Sequence, residues 1–475
     1  MDKSAHFGLI GLGTMGAALA LNIAEKGYPV AVFNRTASAT DAFMERAGAE
    51  GLAGQLTPTK SLEALVAAIT PPRAIILMVP AGPVVDQQIE ALAPLLDKGD
   101  LIIDAGNANY TDTERRAAQA ADAAWDFMGI GVSGGEEGAR HGPSIMVGGK
   151  PAQWDRVGAM LRAISAKYEE EPCAALMGPG GAGHFVKMVH NGIEYADMQM
   201  IAETYALMRD GMGFDVTRIA ETFERWNEGP LASYLIEISG KVSRANDPIS
   251  GGPMLDAILD AAGQKGTGRW TAIEAQKLAV AIPVIEAAVV ARNLSAQVDA
   301  RKHGAEVFGA MPDALPEGAL DAAMLEGALI AGKILCYAQG FDMLARASAE
   351  FDWSLPMPEI ARIWRNGCII RSAMLNDMAT ALAENPGENL IFAQPFTKML
   401  ADNAAVLRRV VIAATDAGIA VPALAAGLSW FDSMRTPRGS ANMIQAQRDF
   451  FGAHGYVRLD GKDAPHGPWW DQPAG

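Results

Sequence analysis

Lys187, His190, Asn191, Glu194 and Tyr195 are spaced i, i+3, i+4, i+7 and i+8. On an α-helix these five polar groups share one face. A solvated face is the ordinary reading of such a stripe. Two features oppose it here. The stripe continues as Met198 and Ile201, which favour burial, and the other faces carry Val186, Met188, Val189 and Ile193. A helix that is apolar nearly all round is a buried helix, and polar groups on it need partners or a pocket. An amine and a carboxylate two turns apart suit proton transfer. Lysine serves as a base only when its pKa falls well below about 10.4. Burial and nearby positive charge both have that effect.

The elements that must position this helix come before it. Short apolar runs at residues 7–10, 30–33, 74–79, 101–104 and 127–132 alternate with helical patterns such as 17–26 and 91–96. That alternation predicts a parallel sheet covered by helices on both faces. Directly after the first run stands Gly11-Leu12-Gly13-Thr14-Met15-Gly16, followed by a helical pattern. In this strand-turn-helix context Gly11 allows the tight turn. Gly13 allows a pyrophosphate to approach the backbone, and Gly16 allows the helix to pack closely. The helix N-terminus then offers free N–H groups to phosphate. The second run ends in Asn34-Arg35-Thr36, where an NAD enzyme would place a carboxylate. Arg35 can grip a 2′-phosphate with its planar fork and Thr36 can add a hydroxyl, so NADP is expected over NAD.

Two further segments follow strand runs, where open α/β sheets bind ligands. One is residues 104–110, with Asn107, and the other is 131–138, with Ser133, Gly134 and Gly135. Successive backbone N–H groups with little side-chain bulk can cradle a carboxylate or phosphate. After Gly178-Pro179-Gly180-Gly181 the texture turns helical, over residues 184–209, 271–301, 319–347 and 396–417. From Thr436 Pro, Gly and aromatic residues dominate. The expected organisation is an α/β Rossmann-type domain at 1–179, an all-helical domain at 180–435 and an extended C-terminal tail at 436–475.

The 475 residues carry a formal charge of −16 from 39 basic and 55 acidic side chains, which opposes broad nucleic-acid binding. Cys173, Cys336 and Cys368 lack paired spacing and read as reduced thiols of a cytoplasmic protein. The seven histidines show no ligand spacing, and no metal is expected. Met1-Asp2-Lys3-Ser4 leads at once into an apolar run without a signal-peptide pattern. The apolar stretch at 278–290 is interrupted by Pro283 and Glu286 and reads as a buried helix, not a membrane span.

The runs 131–149, 180–203, 263–270 and 445–454 resemble the long-type, decarboxylating 6-phosphogluconate dehydrogenases, within the β-hydroxyacid dehydrogenase superfamily. The resemblance extends over essentially the whole chain. It implies that neutral Lys187 removes the proton of the substrate 3-hydroxyl and that Glu194 later protonates carbon, without a metal. Ser133, Gly134 and Gly135 would hold the carboxylate end, and Asn107, His190 and Asn191 the hydroxyls. Tyr195, Lys265 and Arg292 would meet the phosphate, with Arg448 and His454 arriving from the tail of a partner in a homodimer. The cofactor would contact Gly11, Gly13, Thr14, Met15, Gly16, Asn34, Arg35, Thr36, Val79 and Asn107. Three positions depart from the pattern: Gly13 where many members have alanine, Pro80 where many have lysine, and Val147 where proline is usual. Arg292 ends an apolar helical stretch, where an unpaired charge is costly; an internal salt bridge is the alternative to an anionic ligand. Two other functions compete: a β-hydroxyacid dehydrogenase for a different sugar acid or short hydroxy acid, and a catalytically silent NADP-binding regulator.

Overall fold

The computed structural model describes residues 5–311, 314–462 and 466–469. The readings placed on residues 1–4 and on tail residues 463–465 and 470–475 lie outside the described residues. The chain divides into two compact units, Met1–Gly427 and Leu428–Gly475.

The first unit opens with strands β1 (Phe7–Ile10), β2 (Val30–Phe33), β3 (Leu56–Pro58), β4 (Ala74–Leu77), β5 (Leu101–Asp104), β6 (Asp126–Val132) and β7 (Ile145–Gly148). A small hairpin, β8 (Lys167–Tyr168) and β9 (Glu171–Pro172), precedes β10 (Ala174–Gly178). The main sheet has the order β10-β7-β6-β5-β4-β1-β2-β3. From β3 to β6 neighbours run parallel, with Leu9 paired to Val32 on one side and to Ile76 on the other. The reversal comes at β7, where Ile130 faces Val147 in antiparallel register; β10 then follows β7 in parallel.

The central strands are unbroken apolar runs because both sheet faces are covered. Ile76 and Ile103 join one buried cluster, with Leu19 and Ile23 of the helix Thr14–Glu25. Their neighbours Ile75 and Ile102 join the opposite cluster, with Val85 and Ile89 of the helix Pro83–Leu92. Side chains alternate across a strand with period two, so one run feeds two cores. The strand order reverses between β1 and β4. At their carboxyl ends the loops at residues 11–13 and 78–82 frame a crevice of the kind that receives ligands in such sheets.

Several elements differ from the sequence reading. The helix expected at 91–96 is Pro83–Leu92 followed by a short turn, Ala93–Leu95, because Pro83 opens it at its first position. The pattern over 271–301 divides into Thr267–Lys277, Pro283–Ser295 and Val298–Phe308. Ala279 adopts a φ of +54°, and Pro283 starts the next helix without an N–H to donate.

Two long helices form the axis of the helical part, Ala182–Ala206 and Ala322–Glu350. Lys333 and Asp197 join them through a fully enclosed ion pair of 2.7 Å, with Ser233 Oγ 3.4 Å from the ammonium. Among the described residues Ala322–Glu350 is the one helix long and apolar enough to cross a membrane. Its most apolar stretch is 89% buried within the fold, as in a core helix. All three cysteines are buried free thiols.

In the second unit, the tail expected to be extended contains the helix Ala441–Gly452. Asp449 is its hub. The carboxylate accepts from Gly455 N (2.9 Å), Gly467 N (2.8 Å) and Trp469 Nε1 (2.6 Å), and it lies 2.9 Å from His466 Nδ1.

Candidate active site

Glycine lets the helix Ala182–Ala206 lie directly on the sheet. A Cβ at Gly129 of β6 would come within 2.6 Å of His184 Nδ1. One at Gly131 would overlap the Cβ of Lys187 and stand 2.9 Å from its Cγ. On β7, a Cβ at Gly148 would stand 2.7 Å from Gly183 N. Glycines at i and i+2 strip one face of β6, and the lysine stem occupies the space. That places Lys187 beside Ser133, where the strand ends.

Lys187 is buried, and its ammonium nitrogen has only polar uncharged neighbours within hydrogen-bond reach. Nζ donates to Asn191 Oδ1 at 2.6 Å and to Ser133 Oγ at 3.1 Å, and lies 3.3 Å from His190 Nδ1. Burial drives the amine below the usual lysine pKa, although the neighbouring Glu194 carboxyl opposes the shift. His190 is completely enclosed, and burial followed by the Lys187 charge holds it well below the usual imidazole range. It is therefore a neutral ring, with Nε2 3.2 Å from Ser133 Oγ and the Trp364 ring packed against it at 5.6 Å. Its 3.8 Å approach to Glu194 is accordingly not an ion pair. Burial raises the Glu194 carboxyl above the usual carboxylate value, against the pull of Lys187 and Arg292. The site thus holds an amine inclined to be neutral and an acid inclined to be protonated, the states that proton removal and proton delivery require.

Thr267 is a member of this network that sequence reasoning missed. Its Oγ1 accepts from Asn191 Nδ2 at 3.0 Å, which fixes the amide so that its oxygen faces Lys187. Lys265 is exposed and unpaired among the described residues, in the turn before the helix Thr267–Lys277. Gly268 admits the Tyr195 ring, which a Cβ there would meet at 2.5 Å. Over that ring lies the Arg292 guanidinium, 3.5 Å from the centroid. Arg292 has no carboxylate partner among the described residues, so the internal salt bridge is not what holds it; its contacts are Gly263 O at 3.3 Å and Met198 Sδ at 3.4 Å. Met198 itself departs from expectation. It is 41% exposed, whereas Ile201 on the same stripe is buried.

At the carboxyl ends of β1 and β4, Gly11 has a φ of +100° and a Cβ there would strike the Met78 carbonyl. Gly16 packs against the Gly11 carbonyl as closely as a glycine can. A Cβ at Gly13 would meet nothing, so this position faces open space beside Thr14 and Met15. Asn34 has a role within the chain: its Oδ1 accepts from Leu12 N at 3.0 Å and fixes the turn. Arg35 and Thr36 are exposed, and their side chains make no hydrogen bond or ion pair among the described residues. They stand at the start of the helix Ala37–Ala49, which has no acidic residue in its first turn. This arrangement fits an added phosphate. Val79 is half-buried and Asn107 is exposed, on the loops after β4 and β5. The fully enclosed Arg116, also missed in the sequence, ties these loops together. It donates to Gly82 O and to Asp86, both at 2.9 Å, and to Asp104 at 3.4 Å.

Gly134 and Gly135 turn with φ of +109° and +64°, and a Cβ at Gly134 would stand 2.5 Å from Gly367 O. The cradle after β6 is therefore built on a second loop that the sequence did not reveal. Arg448 and His454 belong to the second unit, where both are exposed. Arg448 Nη1 donates to Gln445 Oε1 at 3.2 Å, and His454 packs edge-on to Phe451.

Residues 6–178 match the NAD binding domain of 6-phosphogluconate dehydrogenase, and residues 183–469 match the C-terminal domain of that enzyme. A decarboxylating 6-phosphogluconate dehydrogenase of Synechococcus elongatus is 46% identical, covering 98% of this chain and 99% of the relative. An NADP(+)-dependent one of Bacillus subtilis is 44% identical, covering 98% and 99%. The solved 6-phosphogluconate dehydrogenase of Plasmodium falciparum, known in apo form, with NADP+ and with 6-phosphogluconate, superposes with a TM-score of 0.94. It is 40% identical, with 98% of this chain and 100% of that one covered. The chain belongs to the 6-phosphogluconate dehydrogenase family.

Proposed function

We infer that the chain oxidises and decarboxylates 6-phosphogluconate to ribulose 5-phosphate, reducing NADP+ to NADPH and releasing carbon dioxide. The observation that carries this reading is the pair of buried Lys187, inclined to neutrality, and half-buried Glu194, inclined to hold its proton, on one helix face. Gly11, Gly13, Thr14, Met15, Gly16, Val79 and Asn107 would hold the cofactor, with Arg35 and Thr36 at its 2′-phosphate. When bound, NADP+ accepts hydride from the substrate C3.

Lys187 Nζ removes the 3-hydroxyl proton as that carbon is oxidised. The new carbonyl lies β to the carboxylate and can accept the electron pair of the breaking C–C bond. The Lys187 ammonium then donates to that oxygen as carbon dioxide departs. Glu194 protonates the carbon left behind while Lys187 takes the proton back from the enediol oxygen, which leaves the ketone. Ser133, Gly134 and Gly135 hold the carboxylate end, while Asn107, His190 and Asn191 hold hydroxyls. Tyr195, Lys265 and Arg292 receive the phosphate. The guanidinium of Arg292, half-buried and without a carboxylate partner among the described residues, favours this substrate over an unphosphorylated hydroxy acid, since its fork is left for an anion.

In this reading residues 1–179 carry the cofactor and 180–435 the substrate and the subunit contact. Residues 436–475 reach a partner in a homodimer, bringing Arg448 and His454 to its site. Exposed Met443, Ile444, Phe450, Phe451, Val457 and Leu459 support it, because a run of apolar side chains in water calls for a cover. The three reduced thiols support a cytoplasmic setting, although some relatives are named chloroplastic.

The test is turnover of 6-phosphogluconate with NADP+ and with NAD+, beside 3-hydroxyisobutyrate, with Lys187→Ala as control. Carbon dioxide and NADPH should form in equal amounts with NADP+, and Lys187→Ala should bind substrate without turnover. Unchanged turnover in that variant would refute the assignment of the base.

A further inference from the structure

We propose that Met198 is a positioning residue for Arg292, and that its thioether aims the guanidinium while leaving its charge intact for a phosphorylated substrate. The inference rests on the assignment of Arg292 to the substrate phosphate.

Met198 follows Tyr195 by three residues and Glu194 by four, so it stands on the face that carries the chemistry. Its half-exposed side chain reaches across to the neighbouring helix Pro283–Ser295. There it meets Arg292, which is held by three neutral partners. The flat face of the guanidinium lies on the Tyr195 ring at 3.5 Å. One edge nitrogen, Nη1, donates to Gly263 O at 3.3 Å, and the other, Nη2, donates to Met198 Sδ at 3.4 Å. A ring below and one acceptor at each of two edge nitrogens define the plane and the rotation of the fork. The remaining N–H groups stay available.

The chemistry of the third partner matters. A thioether is a weak, uncharged acceptor. It can orient an N–H without offsetting the positive charge. A carboxylate at this position would form a charge-assisted, bidentate pair with Arg292 and occupy the geometry that a phosphate needs. An aliphatic side chain of similar volume would fill the space but leave one edge of the fork unguided. The acid nearest in sequence on this face, Glu194, makes no ion pair with Arg292 among the described residues and approaches His190 instead, and burial raises its carboxyl above the usual value. Met198 therefore acts on recognition of the phosphate and not on the proton transfers.

The experiment uses the full-length enzyme, with KM and kcat measured for 6-phosphogluconate and for gluconate. Met198→Leu, which conserves volume, should raise the KM for 6-phosphogluconate about three- to tenfold, the size of one lost hydrogen bond. Its kcat should stay within about twofold, and the KM for gluconate should not move. Met198→Glu should raise the KM for 6-phosphogluconate by about a hundredfold, as expected if the cation is captured. Added to Arg292→Ala, Met198→Leu should have no further effect, because a group that works through Arg292 is silent without it. A fall in kcat alone, an equal rise in KM for both substrates, or independent effects in the double variant would overturn the proposal. If Arg292→Ala leaves the KM for 6-phosphogluconate unchanged, the phosphate assignment itself fails and the inference falls with it. If Arg292→Ala raises that KM while both Met198 variants behave as the parent, only the role of Met198 is lost.

Discussion

Replacing Gly131 by alanine would move the Lys187 amine, the base proposed above, without touching a titrating group. Gly131 lies in β6 opposite Met146, in ordinary strand conformation, so alanine suits its backbone. The new methyl, however, would overlap the Lys187 Cβ and sit 2.9 Å from its Cγ. Carbon atoms settle at about 3.5–4.0 Å, so the stem must retreat by about 1 Å. The Nζ contacts of 2.6 Å to Asn191 and 3.1 Å to Ser133 do not tolerate such a displacement. A 1 Å misplacement of a reacting group costs about a hundredfold in rate. The overpacked groove should also destabilise the fold by about 1–3 kcal/mol. Gly48→Ala is the control, since a Cβ there meets nothing; it should keep full activity. NADPH formation gives kcat, and thermal unfolding reports the strain. A Gly131→Ala enzyme within about threefold of the parent kcat would refute the reasoning, because the amine would then not depend on this groove.

Arg35→Ala should lower the preference for NADP+ over NAD+, read as the ratio of kcat/KM values, by about ten- to a hundredfold, the size of a lost charge-assisted contact. An unchanged ratio would remove Arg35 from the 2′-phosphate. Lys333→Met should lower stability by about 3–5 kcal/mol in denaturant unfolding, because it strands Asp197 without its partner; a neutral result would mean that the pair contributes nothing net. The raised Glu194 carboxyl keeps its proton above the usual carboxylate range and loses it as pH rises, so activity should fall on that alkaline limb. Glu194→Gln should reduce turnover about 10²- to 10⁴-fold, and its residual rate should lack the limb.

The sequence displayed those features whose spacing is itself geometry. Glycines at 11, 13 and 16 between a strand and a helix, and polar residues at 187, 190, 191, 194 and 195, define a turn and a face without knowledge of the fold. Contacts between distant segments were not legible. Thr267 steers Asn191 from 76 positions away, and Arg116 binds loops drawn together only by the sheet. The break near Ala279 was hidden because the apolar inner face of Pro283–Ser295 follows closely on the end of Thr267–Lys277, and the pattern records burial rather than continuity. The tail helix Ala441–Gly452 was concealed by flanking glycines and prolines, which mark its ends and not its interior. One signal was available and unread. Gly129 and Gly131 alternate with Met128 and Ile130, the period of a strand with one bare face, and a bare face means that another backbone lies close.

The account turns on the protonation state of one side chain. Selective isotope labelling of lysine side chains, with the Lys187 resonance assigned by its loss in Lys187→Ala, allows that amine to be titrated by NMR in the free enzyme. The enclosed site predicts a midpoint clearly below that of an ordinary lysine. A midpoint at or above the ordinary value would mean that the amine stays charged where the enzyme works, and the base assigned to Lys187 would have to be sought elsewhere.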